Sequence, residues 1–244
     1  MKRVAIALLF LASAAPIVAK PPKLPKPAAE KPAPVAEKPI NAAFRAAFGK
    51  GDSVILKKQG RLKEDVKYTP GELVDAPFGK VLLSPGEVQD GKHENAGKLA
   101  IFYLKPSDKG FEIEKKFIPA AEAGSFGKIV DWSVNNSFGN LPVVTVNGAG
   151  NWQGLSCSTA TLVELTPDGP RHLVTLPMTY DDSAAATAAG KKYTQVSGRI
   201  DNIQPGKSFD VVYFGSSKEF TEHYVRKDNV YVLASGGQSK VQRC

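Results

Sequence analysis

The clearest pattern in the chain lies at Leu99–Leu104. Leu99, Ile101 and Tyr103 alternate with Ala100, Phe102 and Leu104, so both faces of the strand they predict are apolar and the strand is central. After the loop segment PSDKG, Phe111, Ile113, Lys115 and Phe117 alternate with Glu112, Glu114 and Lys116, which predicts a strand with one wet face. Later segments repeat the alternation. Thr159–Leu165 and Arg171–Tyr180 flank Thr166-Pro167-Asp168-Gly169. Thr194–Ile203 and Ser208–Phe214 flank Gln204-Pro205-Gly206-Lys207, and Phe220–Arg226 and Val230–Ala234 flank Lys227-Asp228-Asn229. Pro fixes φ ahead of a turn and Gly supplies a left-handed residue, so these are hairpin connections. His172 shares its predicted face with Val174, Leu176 and Met178, which reads as a partly buried strand histidine.

Helical periodicity is confined to NAAFRAAFG. Asn41 is the expected N-cap of a helix over residues 41–49, Phe44 and Phe48 share a face, and Gly49 is the stop. The Ala-rich stretch Ser183–Gly190 is a brief helix or a loop. The expected fold is all-β: one antiparallel β-sandwich or irregular barrel of about ten to thirteen short strands, with a short N-terminal helix.

The N-terminal part has a different character. Met1-Lys2-Arg3 and the apolar run that follows read as a signal peptide over residues 1–19, cut after Ala19 or after Ala14. Residues 20–40 hold seven Pro, five Lys and two Glu, a spacer in which repeated proline removes backbone donors and opposes helix and sheet. The all-β domain is expected over 41–244, in the periplasm or secreted, with no transmembrane segment once the signal is removed. Of the formal net charge of +8, the signal carries +2 and the spacer +3, which leaves +3 on residues 41–244. A folded part so nearly neutral argues against nucleic acid as a partner.

Phe-Gly recurs at Phe48, Phe78, Phe126, Phe138 and Phe214, as in FG-GAP propeller blades. The acidic calcium loop of those blades has no counterpart in Asp90-Gly91-Lys92-His93-Glu94-Asn95, and that family is set aside. With its phrases WQGLSC and TPDGP the domain resembles a family of exported β-proteins of Gram-negative bacteria, a resemblance that implies export and fold but no activity.

Cys157 and Cys244 are the two cysteines, and in an oxidising compartment they are expected to form one disulfide. Closing that 88-residue loop would restrict the unfolded chain by about 4–5 kcal/mol on the entropic account. Gly154-Leu155-Ser156-Cys157-Ser158 begins like a hydrolase nucleophile elbow but ends in Ser, with no helix pattern after it. His93, His172 and His223 stand far apart, without metal-ligand spacing, and neither a P-loop nor a dinucleotide fingerprint is present. No metal, cofactor or catalytic residue is assigned.

The most informative stretch is Trp132–Val163, 32 residues without Asp, Glu, Lys, Arg or His, where about seven charged residues would be average. A strand pair buried between two layers, with Val143, Val144 and Val146 inward, accounts for the valines. Asn151-Trp152-Gln153, after Gly148-Ala149-Gly150, is expected on a tight exposed loop, where amides beside an aromatic face suit an uncharged glycan. The candidate ligand-binding residues are Trp152, Asn151, Gln153 and Trp132. The expected function is non-catalytic binding of a cell-envelope glycan or protein. A carbohydrate- or ester-active hydrolase and a structural assembly component are the alternatives.

Overall fold

The computed structural model describes residues 38–58, 62–108, 110–216 and 218–243. The expected signal peptide, the spacer up to residue 37 and Cys244 lie outside the described residues. The first element, α1 (Pro39–Phe48), begins earlier than Asn41. Its N-cap is Lys38, and Pro39 stands in the first turn, where the missing N–H would have had no helical partner anyway. The expected spacer thus ends inside a helix, and Asn41 is a helical residue rather than the cap. The C-terminal stop is as expected: Gly49 is left-handed at φ 76° and its N–H reaches the Arg45 carbonyl at 2.7 Å.

Fourteen strands follow among the described residues. The first sheet contains β1 (Val54–Leu56), β2 (Val66–Tyr68), β3 (Glu72–Ala76), β4 (Gly79–Val88), β5 (Gly97–Ser107) and β6 (Gly110–Ala123). Its order is β1-β2-β4-β5-β6, and β3 shares one edge of β4 with β2. The second sheet is an eight-stranded meander in which each strand pairs with the next. It runs through β7 (Asp131–Asn135), β8 (Val143–Trp152), β9 (Leu155–Thr166), β10 (Gly169–Asp181), β11 (Gln195–Gln204), β12 (Ser208–Gly215), β13 (Phe220–Lys227) and β14 (Val230–Leu233). It curls into a half-barrel, so that β14 comes back against β10. The short helix α2 (Ser183–Ala188) sits between β10 and β11. All pairings are antiparallel, and the expected all-β sandwich or irregular barrel is the fold observed.

Three apolar layers hold it together. Phe44 of α1 and Leu82, Ala100 and Phe102 of β4–β5 form the outermost. Phe48 packs there too, its ring 4.9 Å from Phe102 and 5.4 Å from Tyr68. On the opposite face of β4–β5, Leu83, Leu99 and Ile101 meet Val144, Val146 and Val163 of β8–β9. The other face of β8–β9 points into the half-barrel, where Val143 and Leu162 join Phe209, Tyr213 and Tyr224. Residues 97–104 are buried without exception, as their two apolar faces predict. The uncharged stretch has the same cause. The β8–β9 pair is covered on both sides, and an unpaired charge there would be costly to bury.

Two expected faces are corrected by bulges. Tyr103 pairs with Lys115 but Leu104 with Ile113, so Glu114 is an extra residue in β6. The alternation inverts across it. Phe111 packs on the α1 side, Phe117 in the layer between the sheets, and Ile113 is exposed. In β10, His172 pairs with Val163 and Val174 with Leu162, which makes Leu173 the extra residue. Leu173 turns into the barrel core, while His172 is exposed with its Nε2 2.9 Å from Thr175 Oγ1.

The C-terminal segment is tied down by groups the sequence did not single out. The buried Glu222 carboxylate accepts the Lys240 N–H at 2.6 Å and the Tyr224 hydroxyl at 3.1 Å. Val241 is buried in the barrel core, and Arg243 donates to the Thr175 carbonyl at 3.3 Å.

Candidate functional site

The tip of the β8–β9 hairpin is a two-residue turn, Gln153-Gly154, with φ of 48° and 83°. Two positive φ values in succession define the turn whose twist matches antiparallel strands, and Gly at the second place accommodates it without cost. The expected loop therefore shrinks: Gly148 to Trp152 are strand residues, and only Gln153 and Gly154 turn. The helix α2 braces the tip, because a Cβ on Gly154 would come within 2.9 Å of the Ala185 nitrogen.

Trp152 is 50% exposed on this hairpin. One neighbour of its indole is His93, with ring centroids 4.4 Å apart. Phe126 approaches His93 edge-on at 5.1 Å, so three rings form one cluster. His93 is oriented by its Nε2–H, which donates to the Asn151 carbonyl at 2.5 Å. The Asn151 side chain in turn accepts from Ser156 Oγ at 2.5 Å, across the hairpin. Phe126 stands at the tip of a second tight turn. Lys128 N–H reaches the Ser125 carbonyl at 3.1 Å, and Phe126 and Gly127 have φ of 52° and 76°. A bulky side chain with left-handed backbone is strained. Here it is held from beneath by Gly127, whose N–H bonds the Asn95 carbonyl at 2.7 Å and whose carbonyl accepts from Val88 at 3.0 Å.

Beside the rings lies a cavity of about 480 Å³. His93 and Trp152 form one side, and the nearly bare backbone of Gly124, Gly148 and Gly150 forms another. Cys157, Pro177 and Arg243 also line it, with Glu94, Ser125 and Ser158 among the polar groups. Gly124 and Gly148 are a packing requirement, since a Cβ on Gly148 would fall 2.1 Å from the Gly124 nitrogen, whereas a Cβ on Gly150 would meet nothing closer than 3.4 Å.

Of the sequence-predicted residues, Trp152, Asn151 and Gln153 are exposed together on the hairpin. Trp132 is elsewhere. It is half-buried on β7, packs against the layer between the sheets and donates its indole N–H to Glu72 at 3.2 Å. It borders a second depression of about 240 Å³ with Pro85, Gly86 and Val130. Asn147 is occupied too, donating to Asp131 at 2.5 Å. Sequence reasoning missed His93 and Phe126 as members of the site. Phe126 stands in the sequence as one of the recurring Phe-Gly pairs, and nothing there connects it to Trp152.

The hydroxyl and imidazole groups of the sequence motifs have the following partners. Ser156 is hydrogen-bonded to Asn151, and Ser158 Oγ lies 2.8 Å from Thr179 Oγ1. His223 Nδ1 is 2.7 Å from Asp210 Oδ1, and this contact, helped by Asn202, holds the Asp210 carboxyl below the usual carboxylate range. The histidine that lines the cavity with Cys157 is His93, not His172 or His223. Among the described residues no group of three His, Cys, Asp or Glu side chains is placed to hold a metal ion, and no helix is long and apolar enough to cross a membrane.

Compared with protein-family models, with curated proteins and with solved structures, the chain shows no match.

Proposed function

We propose that this is a non-catalytic exported protein that binds an uncharged glycan of the cell envelope at the Trp152 hairpin. The observation that carries the reading is the half-exposed Trp152 indole standing beside a cavity of about 480 Å³. A sugar ring presents CH groups on its faces and hydroxyls around its edge. An exposed indole face offers apolar area to the first, and amide, carbonyl and hydroxyl groups pair with the second. His93 contributes rigidity, because its ring is held against Trp152 by the bond to Asn151 and loses little freedom on binding. Trp152→Ala is expected to abolish retention on envelope glycan fractions while leaving the fold intact, since the side chain is half in solvent. A pull-down with both proteins checks this. Equal retention would remove the hairpin as the binding site, and retention only on protein-containing fractions would point to a protein partner.

The export reading rests on residues 1–19 and carries the disulfide with it. Cys157 is buried, and Gln242 and Arg243, the residues just before Cys244, line the same cavity. We propose the Cys157–Cys244 bridge on that basis. The expected result is no alkylation of the unreduced full-length protein under denaturing conditions and two adducts after reduction, read by intact mass. Two adducts without reduction would disprove the bridge.

A further inference from the structure

We infer that the binding surface continues from the Trp152 cavity across Phe126 and Val130 to the Trp132 depression, and that its ligand is a linear glycan chain rather than a single sugar. The inference rests on the glycan reading of the Trp152 site and adds to it the length and shape of the ligand.

Both depressions are built on one short connection, the segment between β6 and β7. Its start, Gly124 and Ser125, lines the cavity beside Trp152. Its end, Lys128 to Val130, lines the depression beside Trp132. Between them stands Phe126, in ring contact with His93 of the first site. Val130 at 61% and Phe126 at 54% are the two most exposed large apolar side chains among the described residues, and both lie on this segment. Packing does not account for them. Phe126 is held in a left-handed conformation that disfavours a bulky side chain, at a place where Gly or Asn would serve the turn better. A strip of apolar side chains between two tryptophan depressions suits a ligand that repeats the same apolar face along its length.

Beside the Trp132 depression the cation and anion nearest the strip are paired with each other, which leaves its apolar side chains as the feature a ligand meets. Lys128 is 2.8 Å from Glu87, and Glu87 also lies opposite Lys67 in the β2–β4 ladder. Asp131 accepts from the Asn147 amide.

The test is calorimetric titration of the full chain with β-linked N-acetylglucosamine and glucose oligomers, each as dimer and as hexamer. The hexamer of the recognised sugar is expected to bind at least about tenfold more tightly than its dimer, because occupying a second subsite becomes an intramolecular event. Val130→Ser, a change at an exposed side chain, is expected to erase most of that difference and leave dimer affinity unchanged. Equal affinity of dimer and hexamer, both dependent on Trp152, would overturn the extended surface and leave the single-site reading standing. Binding to none of the oligomers, or binding indifferent to Trp152→Ala, would overturn the glycan reading itself.

Discussion

Replacing Arg226 with alanine is expected to destabilise the domain by about 3–5 kcal/mol, the range seen when one partner of a buried ion pair is removed. Arg226 on β13 places its two terminal nitrogens 3.0 Å from the two carboxylate oxygens of Glu164 on β9. Glu164 is only 5% exposed. Arg171 adds a longer contact at 3.4 Å, and the Arg226 guanidinium also lies over the Tyr231 ring, 5.7 Å from its centroid. In the meander β9 and β13 are not neighbours, so this pair spans the opening of the half-barrel and helps set its curl. The Glu164 hydrogen bonds raise the Arg226 pKa further, so the guanidinium is charged throughout the accessible range. Alanine at 226 would leave the buried carboxylate with the weaker Arg171 contact alone. The exposed pair Arg199–Asp201, at 2.9 Å, is the control, and Arg199→Ala is expected to cost at most about 1 kcal/mol. Urea unfolding of both variants measures the difference. An Arg226→Ala midpoint no lower than that of Arg199→Ala would show that the pair does not hold the curl.

Gly148→Ala is expected to have the second-largest effect, and to act on stability and binding together. The added Cβ would sit 2.1 Å from the Gly124 nitrogen and 2.8 Å from its Cα, both backbone atoms that cannot rotate aside. Gly124 is itself confined, since a Cβ there would approach the Lys128 carbonyl oxygen at 2.1 Å. The only relief is displacement of the segment that carries Phe126 away from β8. Overpacking of this kind costs about 1–3 kcal/mol, and the displaced segment forms one wall of the cavity. Gly139→Ala is the matched control, because its Cβ would meet nothing closer than 4.0 Å. Thermal unfolding should show a clear drop for Gly148→Ala and almost none for Gly139→Ala, with glycan retention reduced only in the former. Equal melting temperatures for the two would mean that the close approach at Gly148 does not constrain the site.

The sequence patterns that survived are those set by one strand at a time. The two apolar faces of Leu99–Leu104 placed β5 between two layers, and that is where it lies. Pro167-Asp168, Pro205-Gly206 and Asp228-Asn229 each joined antiparallel neighbours as their turn chemistry required. Failures began where one residue changed the count. The bulges at Glu114 and Leu173 have no signature in composition, yet each moves the side chains that follow it to the opposite face, in β10 until a second bulge at Met178. The start of α1 lies ahead of Asn41 because Pro39, which opposes helix elsewhere, is tolerated in the first turn.

The candidate site divides in the same way. Exposure of Trp152 and the absence of charge along its own hairpin were legible, because a strand pair covered on both faces excludes charge while its tip reaches solvent; Glu94 and Arg243 come to the cavity from elsewhere in the chain. Grouping Trp132 with Trp152 followed only from their nearness in sequence, and β7 carries Trp132 to a different depression. His93 joins Trp152 from 59 positions away, and Arg226 meets Glu164 from 62. By itself, then, the sequence determined most strands from Leu99 onward, where they turn and which stretch excludes charge, because backbone geometry alternates side chains every two residues and turns demand particular φ values; the strands β1 to β4 were not distinguished by it. Only the tertiary structure decided which strand faces which. The curl of the second sheet and the seating of the β6–β7 connection depend on contacts between residues dozens of positions apart, and no local pattern encodes those distances.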